Sequence, residues 1–385
     1  MVSLVDQRLP RIADARHQTD RLFAMLDPGA LYDRPIAERH RIVFYIGHLE
    51  AFERNLLRDG RGTVDPELDQ LFAFGIDPVG GGLPTDQPGD WPSLAEVRDY
   101  VGRARESVDS IFPDAPDLLA NVAIEHRLMH AETLAYMFHR LPLEKKLPPA
   151  EPAVLLARPR QEGMVEIPEG PATLGLARAS DQFGWDNEFE EHTVEVAAFQ
   201  IDRYKVTNGE YLKFVCVGGS PPVFWNKNGD KWLYRTMFHE IPLPLGWPVY
   251  VSHDDASAYA KWAGKSLPTE AQWQRAAGGA PRTGNFNFER WDPVPVTALG
   301  AGASGVEDMW GNGWEWTSTL FAPFTGFEPF PFYPGYSANF FDGQHYVMKG
   351  GSARTAACMV RPSFRNWFQP HYPYVYTGFR CVRNS

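Results

Sequence analysis

Residues 118–141 read LLANVAIEHRLMHAETLAYMFHRL, and this stretch decides the architecture of the first part of the chain. Apolar side chains recur every three or four residues without an interrupting Gly or Pro, which predicts a long helix beginning after Asp117. His126 and His130 stand at i and i+4, so both imidazoles leave one face. Two imidazoles at that spacing can hold one metal ion. Upstream, residues 8–28, 38–58 and 94–111 carry the same periodicity, with Pro92 and Ser93 as starters of the third. In the second, Ile42, Ile46, Leu49 and Leu56 share a face. Four such helices with no strand signal predict a four-helix bundle.

His48 interrupts the apolar stripe of the second helix. Bundle sites are built from side chains on facing helices, so His48, His126 and His130 form a candidate three-His metal face. An isolated His pair is more often a surface or satisfied core feature; a third histidine inside the bundle tips the reading toward metal. Three neutral imidazoles suit Zn, Fe, Ni or Cu and leave open positions, the catalytic arrangement. Glu132, two residues past His130, points off that face and reads as an outer carboxylate. The segment FGIDPVGGGLPTDQPGDWP (74–92) is too rich in Gly and Pro for regular structure, and long loops of that kind often carry function.

The pattern changes after the bundle. We read residues 1–142 as the helical domain, 143–162 as a Pro-rich linker and 163–385 as a second domain. From Met164 come short strand-like runs, MVEIP, TLGL and HTVEVAAFQIDRYKV. Helices are expected at 208–215, 253–263 and 270–277, where Thr207 or Asn208, Ser252 and Thr269 can cap. The remainder is dominated by loops, Trp and Gly. The fold class is therefore α+β.

Composition narrows the function. The 385 residues are 44% hydrophobic and 22% charged, an ordinary globular balance. A net charge of −11 argues against a broad nucleic-acid surface. No run of about 18 apolar residues suggests a membrane span, and the first residues lack an apolar signal core, so a cytoplasmic location is expected. Cys216, Cys358 and Cys381 are too few for a disulfide framework. Nothing in the sequence fixes an oligomeric state.

The motif order MVEIPEG…TLG, EHTVEVAAFQIDRYKVTNGEYLKFV, PVYVSHDDASAYAKWAGKSLPTEAQWQRAA, GNGWEWT, VMKGGSAR and TGFRCVRN resembles the formylglycine-generating-enzyme domain across about residues 163–383. The resemblance implies a fold related to C-type lectins. Gly311, Trp314, Trp316, Gly350, Gly351 and Arg380 read as residues that hold its loops. The formylglycine reaction needs two neighbouring cysteines for copper. Here only Cys358 lies near that region, so the fold is kept without that site.

A His-bearing DinB-like bundle before this domain resembles the ergothioneine-type sulfoxide synthases and their selenoneine-forming relatives. HRLMHAE (126–132) matches that family's H-x3-H-x-E motif, and IGHLE supplies His48. The resemblance implies a nonheme Fe(II) enzyme using O2. It would join a thiol or selenium donor to carbon 2 of the imidazole of hercynine, a trimethylated histidine. RPSFRNW matches the family's substrate segment, so Asn366 and Trp367 are implied hercynine contacts, in a site expected between the domains. An ordinary core tryptophan is the plain alternative for Trp367.

Departures bear on the donor. In the branch that uses γ-glutamylcysteine, an Asp follows the Asn-Trp pair; here Phe368 stands there. That branch carries donor-binding arginines in the loop between helices two and three; residues 74–92 have none. The doubly charged dipeptide would lack its partners, which leaves cysteine or a selenosugar. Met129 replaces a glutamine facing the substrate imidazole, and Phe324 falls where a proton-donating tyrosine is expected. Tyr100, Tyr333, Tyr336, Tyr374 and Tyr376 are the other phenols considered. The competing readings are a zinc-type thiol transferase, as in other DinB-like bundles, and a non-catalytic binding module.

Overall fold

The computed structural model describes residues 8–58, 62–75, 82–150, 153–300, 302 and 304–384, which fall in two units, Met1–Ala150 and Glu151–Ser385. The first unit is helical: α1 (Arg8–Ala24), α2 (Ile42–Leu57), α3 (Pro66–Phe74), α4 (Leu94–Asp109) and α5 (Asp117–His139). α1 packs on α5, and α2 packs on α3, α4 and α5. The four expected helices are present with shorter ends. α1 stops before Asp27-Pro28, where proline bars continuation and Asp27 caps a short 3-10 turn instead. α3 has no counterpart among the four expected helices. Its signals are nevertheless present: Asp65 accepts from Leu68 N at 3.2 Å, Pro66 occupies the first turn, and Gly75 ends it at φ 69°.

α2 is buried on nearly all sides, not along one stripe. The reason is electrostatic pairing. Arg127 of α5 pairs with Glu50 (2.8 Å) and Glu53 of α2. Arg16 of α1 reaches Glu53 at 3.2 Å, and Arg105 of α4 reaches Glu50 at 2.8 Å. Four helices are thus cross-tied through two buried carboxylates. Apolar periodicity alone would have placed these charges in solvent.

The segment expected as a linker is shared. Lys145 O accepts from Asp27 N at 2.9 Å and Leu147 N donates to Met25 O at 2.7 Å, so 143–147 belongs to the first unit. Arg158 pairs with Glu307 at 2.8 Å in the second.

The second unit carries β1 (Met164–Ile167), β2 (Gly170–Leu174), β3 (His192–Val196), β4 (Phe199–Asp202), α6 (Asn208–Cys216), β5 (Trp225–Asn228), β6 (Lys231–Arg235), β7 (Glu240–Pro242), α7 (His253–Trp262), α8 (Glu270–Ala277), β8 (Trp314–Leu320), β9 (Tyr346–Lys349), β10 (Asn366–Phe368), β11 (Thr377–Gly378) and β12 (Val382–Asn384). The sheets order as β1-β4-β12, β10-β9-β8-β11, β5-β6-β7 and the hairpin β2-β3. Thr207, Ser252 and Thr269 cap α6, α7 and α8 as expected. One core joins Phe199, Ile201, Trp273, Met309, Trp310 and Val382.

Long loops between these strands are fixed by buried ion pairs. Arg380 binds Glu315 through Nε at 2.6 Å and Nη2 at 2.9 Å; Nη2 also reaches the carbonyls of Glu307 and Asp308, and Nη1 those of Asp202 and Arg203. Trp316 donates to Val251 O at 2.9 Å. Gly311 has φ 76°, and a Cβ there would stand 2.5 Å from Asn285 O. Trp316, Gly311 and Arg380 therefore hold loops, as their motif positions implied.

Candidate metal centre and substrate segment

His48 of α2 and His126 and His130 of α5 converge: one ligand atom from each lies within 4.8 Å of the other two. The i, i+4 spacing brings the α5 pair together, with ring centroids 4.6 Å apart. His48 stands 5.5 Å from His126 and 5.0 Å from His130 by the same measure. Nδ1 of His48 lies 2.7 Å from Phe72 O, so it must carry the proton and donate. That leaves the His48 Nε2 lone pair for a ligand, the outer-shell arrangement that orients metal-binding imidazoles.

Burial keeps all three rings neutral. His48 is pushed down to about 4, chiefly by desolvation and despite the Phe72 bond. His126 and His130 fall well below the ordinary histidine value, first through burial and then through the neighbouring imidazoles and cations. A cation delivered to this cluster would meet three unprotonated donors, so the residues fit a metal ion of the borderline class.

Aromatic rings brace the ligands. Phe44 stacks on His48 at 4.7 Å, and Phe52 stacks on His126 at 3.4 Å and 12°. Tyr45 sits 5.7 Å from His130. Phe44, His48 and Phe52 follow i, i+4, i+8 spacing, a signal the sequence reading left unused. Met129 is partly buried on α5, and Glu132 is buried there too.

In the second unit, Asn366, Trp367 and Phe368 form β10 and pair with β9. Asn366 Oδ1 accepts from Trp367 N at 2.9 Å. Trp367 lies flat on Phe321 (4.2 Å, 7°), with Tyr336 and Phe340 at 5.4 and 5.6 Å, and stays partly exposed. Phe368 stacks on Tyr372 at 5.2 Å, and Tyr374 meets Tyr372 edge-on. Phe324 lies under the Arg365 guanidinium at 4.0 Å and against His192. Tyr376 is buried against Phe224 and Tyr250. Burial pushes the Tyr333 phenol up. Tyr100 is fully buried in the first unit, and its hydroxyl donates to Asp69 at 2.8 Å. Burial and that carboxylate drive its pKa far above the usual phenol range, which makes it an anchor for α3 rather than a ready proton donor.

Two arginines near β10 are committed elsewhere. Arg361 grips Glu188, with Nε at 2.9 Å and Nη2 at 2.5 Å. Arg365 grips Glu270 at 2.9 and 3.1 Å. In the loop between α3 and α4, Asp86 takes Arg41 at 2.9 Å, Arg34, and the Trp91 indole at 2.7 Å. That loop consumes two cations rather than offering any. Among the cysteines, Cys216 and Cys358 are exposed and Cys381 is buried, and none of the three is in a disulfide.

Residues 11–140 match the DinB superfamily, and residues 152–385 match the sulfatase-modifying factor enzyme 1-like domain. The hercynine oxygenase of Mycolicibacterium smegmatis is 33% identical, covering 96% of this chain and 97% of that protein. The ergothioneine biosynthesis protein 1 of Neurospora crassa is 27% identical over 94% of this chain and 56% of its own. The formylglycine-generating enzyme of Mycobacterium tuberculosis is 29% identical and covers 57% of this chain. Among solved structures, PvdO from Pseudomonas aeruginosa superposes on 58% of the chain at a TM-score of 0.43 and 22% identity.

Proposed function

The chain belongs to the hercynine oxygenase family, and from that premise we propose that it joins the sulfur or selenium of a small donor to carbon 2 of hercynine's imidazole, using O2 and Fe(II). The observation that carries the proposal is the neutral His48–His126–His130 cluster, His126 buried and the other two half-buried, in a chain that aligns end to end with a hercynine oxygenase. Iron held there would supply the redox chemistry that O2 requires and open positions for small ligands. At the sulfoxide level the reaction balances as R–SH + H–C + O2 → R–S(O)–C + H2O. Forming the C–S bond and the S–O bond each oxidises the substrates by two electrons, which together are the four that O2 accepts.

The protein's own groups have separable tasks. Phe72 O holds the His48 proton on Nδ1. Phe44 and Phe52 cover the imidazole faces against water. The partly exposed Trp367 face suits a quaternary ammonium, which has no hydrogen to donate and is drawn to ring π-density. Asn366 is the polar contact proposed beside it.

The donor is proposed to be cysteine or a selenosugar. Phe368 offers no carboxylate to an ammonium, Arg361 and Arg365 are bound to Glu188 and Glu270, and Asp86 occupies Arg34 and Arg41. A donor with two carboxylates would find no uncommitted arginine among these. Neutral imidazoles suit zinc equally well, so a zinc-type thiol transferase is the second reading. The test is anaerobic reconstitution with Fe(II), then hercynine, O2 and the three donors, read by mass spectrometry. The proposal expects coupled products with cysteine or the selenosugar and little with γ-glutamylcysteine. Efficient use of γ-glutamylcysteine overturns the donor assignment.

A further inference from the structure

α3 ends against the metal cluster, and one glycine lets it do so. Phe72 lies in the last turn of α3, where helical carbonyls lack intrahelical partners and carry the negative end of the helix dipole. Its carbonyl takes the His48 Nδ1 proton at 2.7 Å. Its ring is fully buried and covers position 47 of α2, immediately before His48. A Cβ at Gly47 would stand less than 3.0 Å from three atoms of that ring. One turn earlier on α3, Asp69 receives the Tyr100 hydroxyl of α4 at 2.8 Å, and Phe72 and Tyr100 rings meet at 5.4 Å. α3 is therefore held by Tyr100 of α4 at Asp69 and Phe72, and admitted against α2 by the absence of a side chain at position 47.

We infer that Gly47 and α3 are positioning elements for the metal centre: Gly47 admits the Phe72 ring, and the Phe72 carbonyl thereby locks His48 in the tautomer whose Nε2 can bind metal. The inference rests on the three-His metal reading. It assigns Gly47 a task opposite to its helix propensity. Alanine is the better helix former, so propensity alone predicts that Gly47→Ala strengthens α2. The steric argument predicts that it displaces α3 and releases the His48 tautomer.

Two readouts separate these. The first is 15N-histidine NMR on the metal-free protein, with the His48 signals identified by their loss in His48→Ala. In the wild type His48 is expected as the Nδ1–H tautomer; in Gly47→Ala it is expected to shift toward Nε2–H. The second is anaerobic Fe(II) titration. Gly47→Ala is expected to bind roughly 10- to 100-fold more weakly, the loss typical of an outer-shell partner. Gly47→Ala/Phe72→Ala, which removes the Cγ and Cδ atoms that would clash but keeps the carbonyl, is expected to recover most of that affinity. An Nε2–H tautomer at His48 in the wild type overturns the inference whatever the variants do, including when Gly47→Ala fails to fold. Wild-type affinity in Gly47→Ala also overturns it. Absence of Fe(II) binding by the wild type sinks the metal reading instead, and the tautomer measurement still decides the role of α3.

Discussion

The two units bury polar groups in opposite ways. In the second, charges are closed on one another: Arg380 with Glu315, Arg365 with Glu270, Arg361 with Glu188. Each guanidinium finds a carboxylate, and the pairs hold loops where regular structure is sparse. In the first, Arg127, Glu50 and Glu53 form a similar closed set, yet beside them three imidazoles turn donor atoms toward a common point. Neutral rings with facing lone pairs do not satisfy one another. Closed networks report on folding, and open ones report on a ligand. The same contrast separates Gly311, Trp316 and Arg380, which hold loops, from the three histidines proposed to hold the metal.

Variants can break this contrast. His130→Ala should remove stoichiometric metal and lower turnover beyond the roughly 100-fold that loss of an outer-shell partner costs, while unfolding of the metal-free protein changes little; metal analysis beside a denaturant melt checks it. Arg380→Met leaves the buried Glu315 without its bidentate partner and should destabilise the second unit by about 3–5 kcal/mol, with metal content unchanged. If Arg380→Met instead emptied the metal site, the division of labour would fail.

Acid should act on the open set. Unfolded histidine protonates near pH 6.5, but His48 does so only at about 4, with His126 and His130 also displaced downward. Between those values the unfolded chain binds more protons. The metal-free protein therefore loses stability as pH falls through that window, on the order of 3 kcal/mol from His48 alone. His48→Asn should flatten that slope. The smallest effect concerns the donor. Phe368→Asp supplies a carboxylate for an ammonium and should raise activity with γ-glutamylcysteine by about tenfold, the worth of one exposed-to-intermediate charge contact of ~1.4 kcal/mol.

Much of this was legible in the sequence because it is local. The α5 pair His126 and His130 needs only helical spacing, and Thr207, Ser252 and Thr269 announce their helices by capping. α3 was overlooked although Asp65-Pro66 and Gly75 bracket it, because nine residues carry too few turns to show periodicity. The pairings of Arg127, Arg361 and Arg365 join residues 74 to 173 positions apart, and composition does not encode such partners. The tie from His48 to Phe72 escaped for the same reason: a backbone carbonyl has no sequence signature. Arg361 and Arg365 adjoin the substrate segment in sequence, yet their charges are committed to buried Glu188 and Glu270.

Oxygen consumption decides whether bond formation occurs at the proposed three-His iron centre. Metal-free protein is loaded with Fe(II) or with Zn(II), and O2 uptake is followed with hercynine and a donor present together. Uptake matched one to one with coupled product is expected for the iron form and none for the zinc form. An iron form that leaves O2 untouched and makes no coupled product with both substrates present, or a zinc form that takes up O2 and couples as well as the iron form, would contradict the proposal.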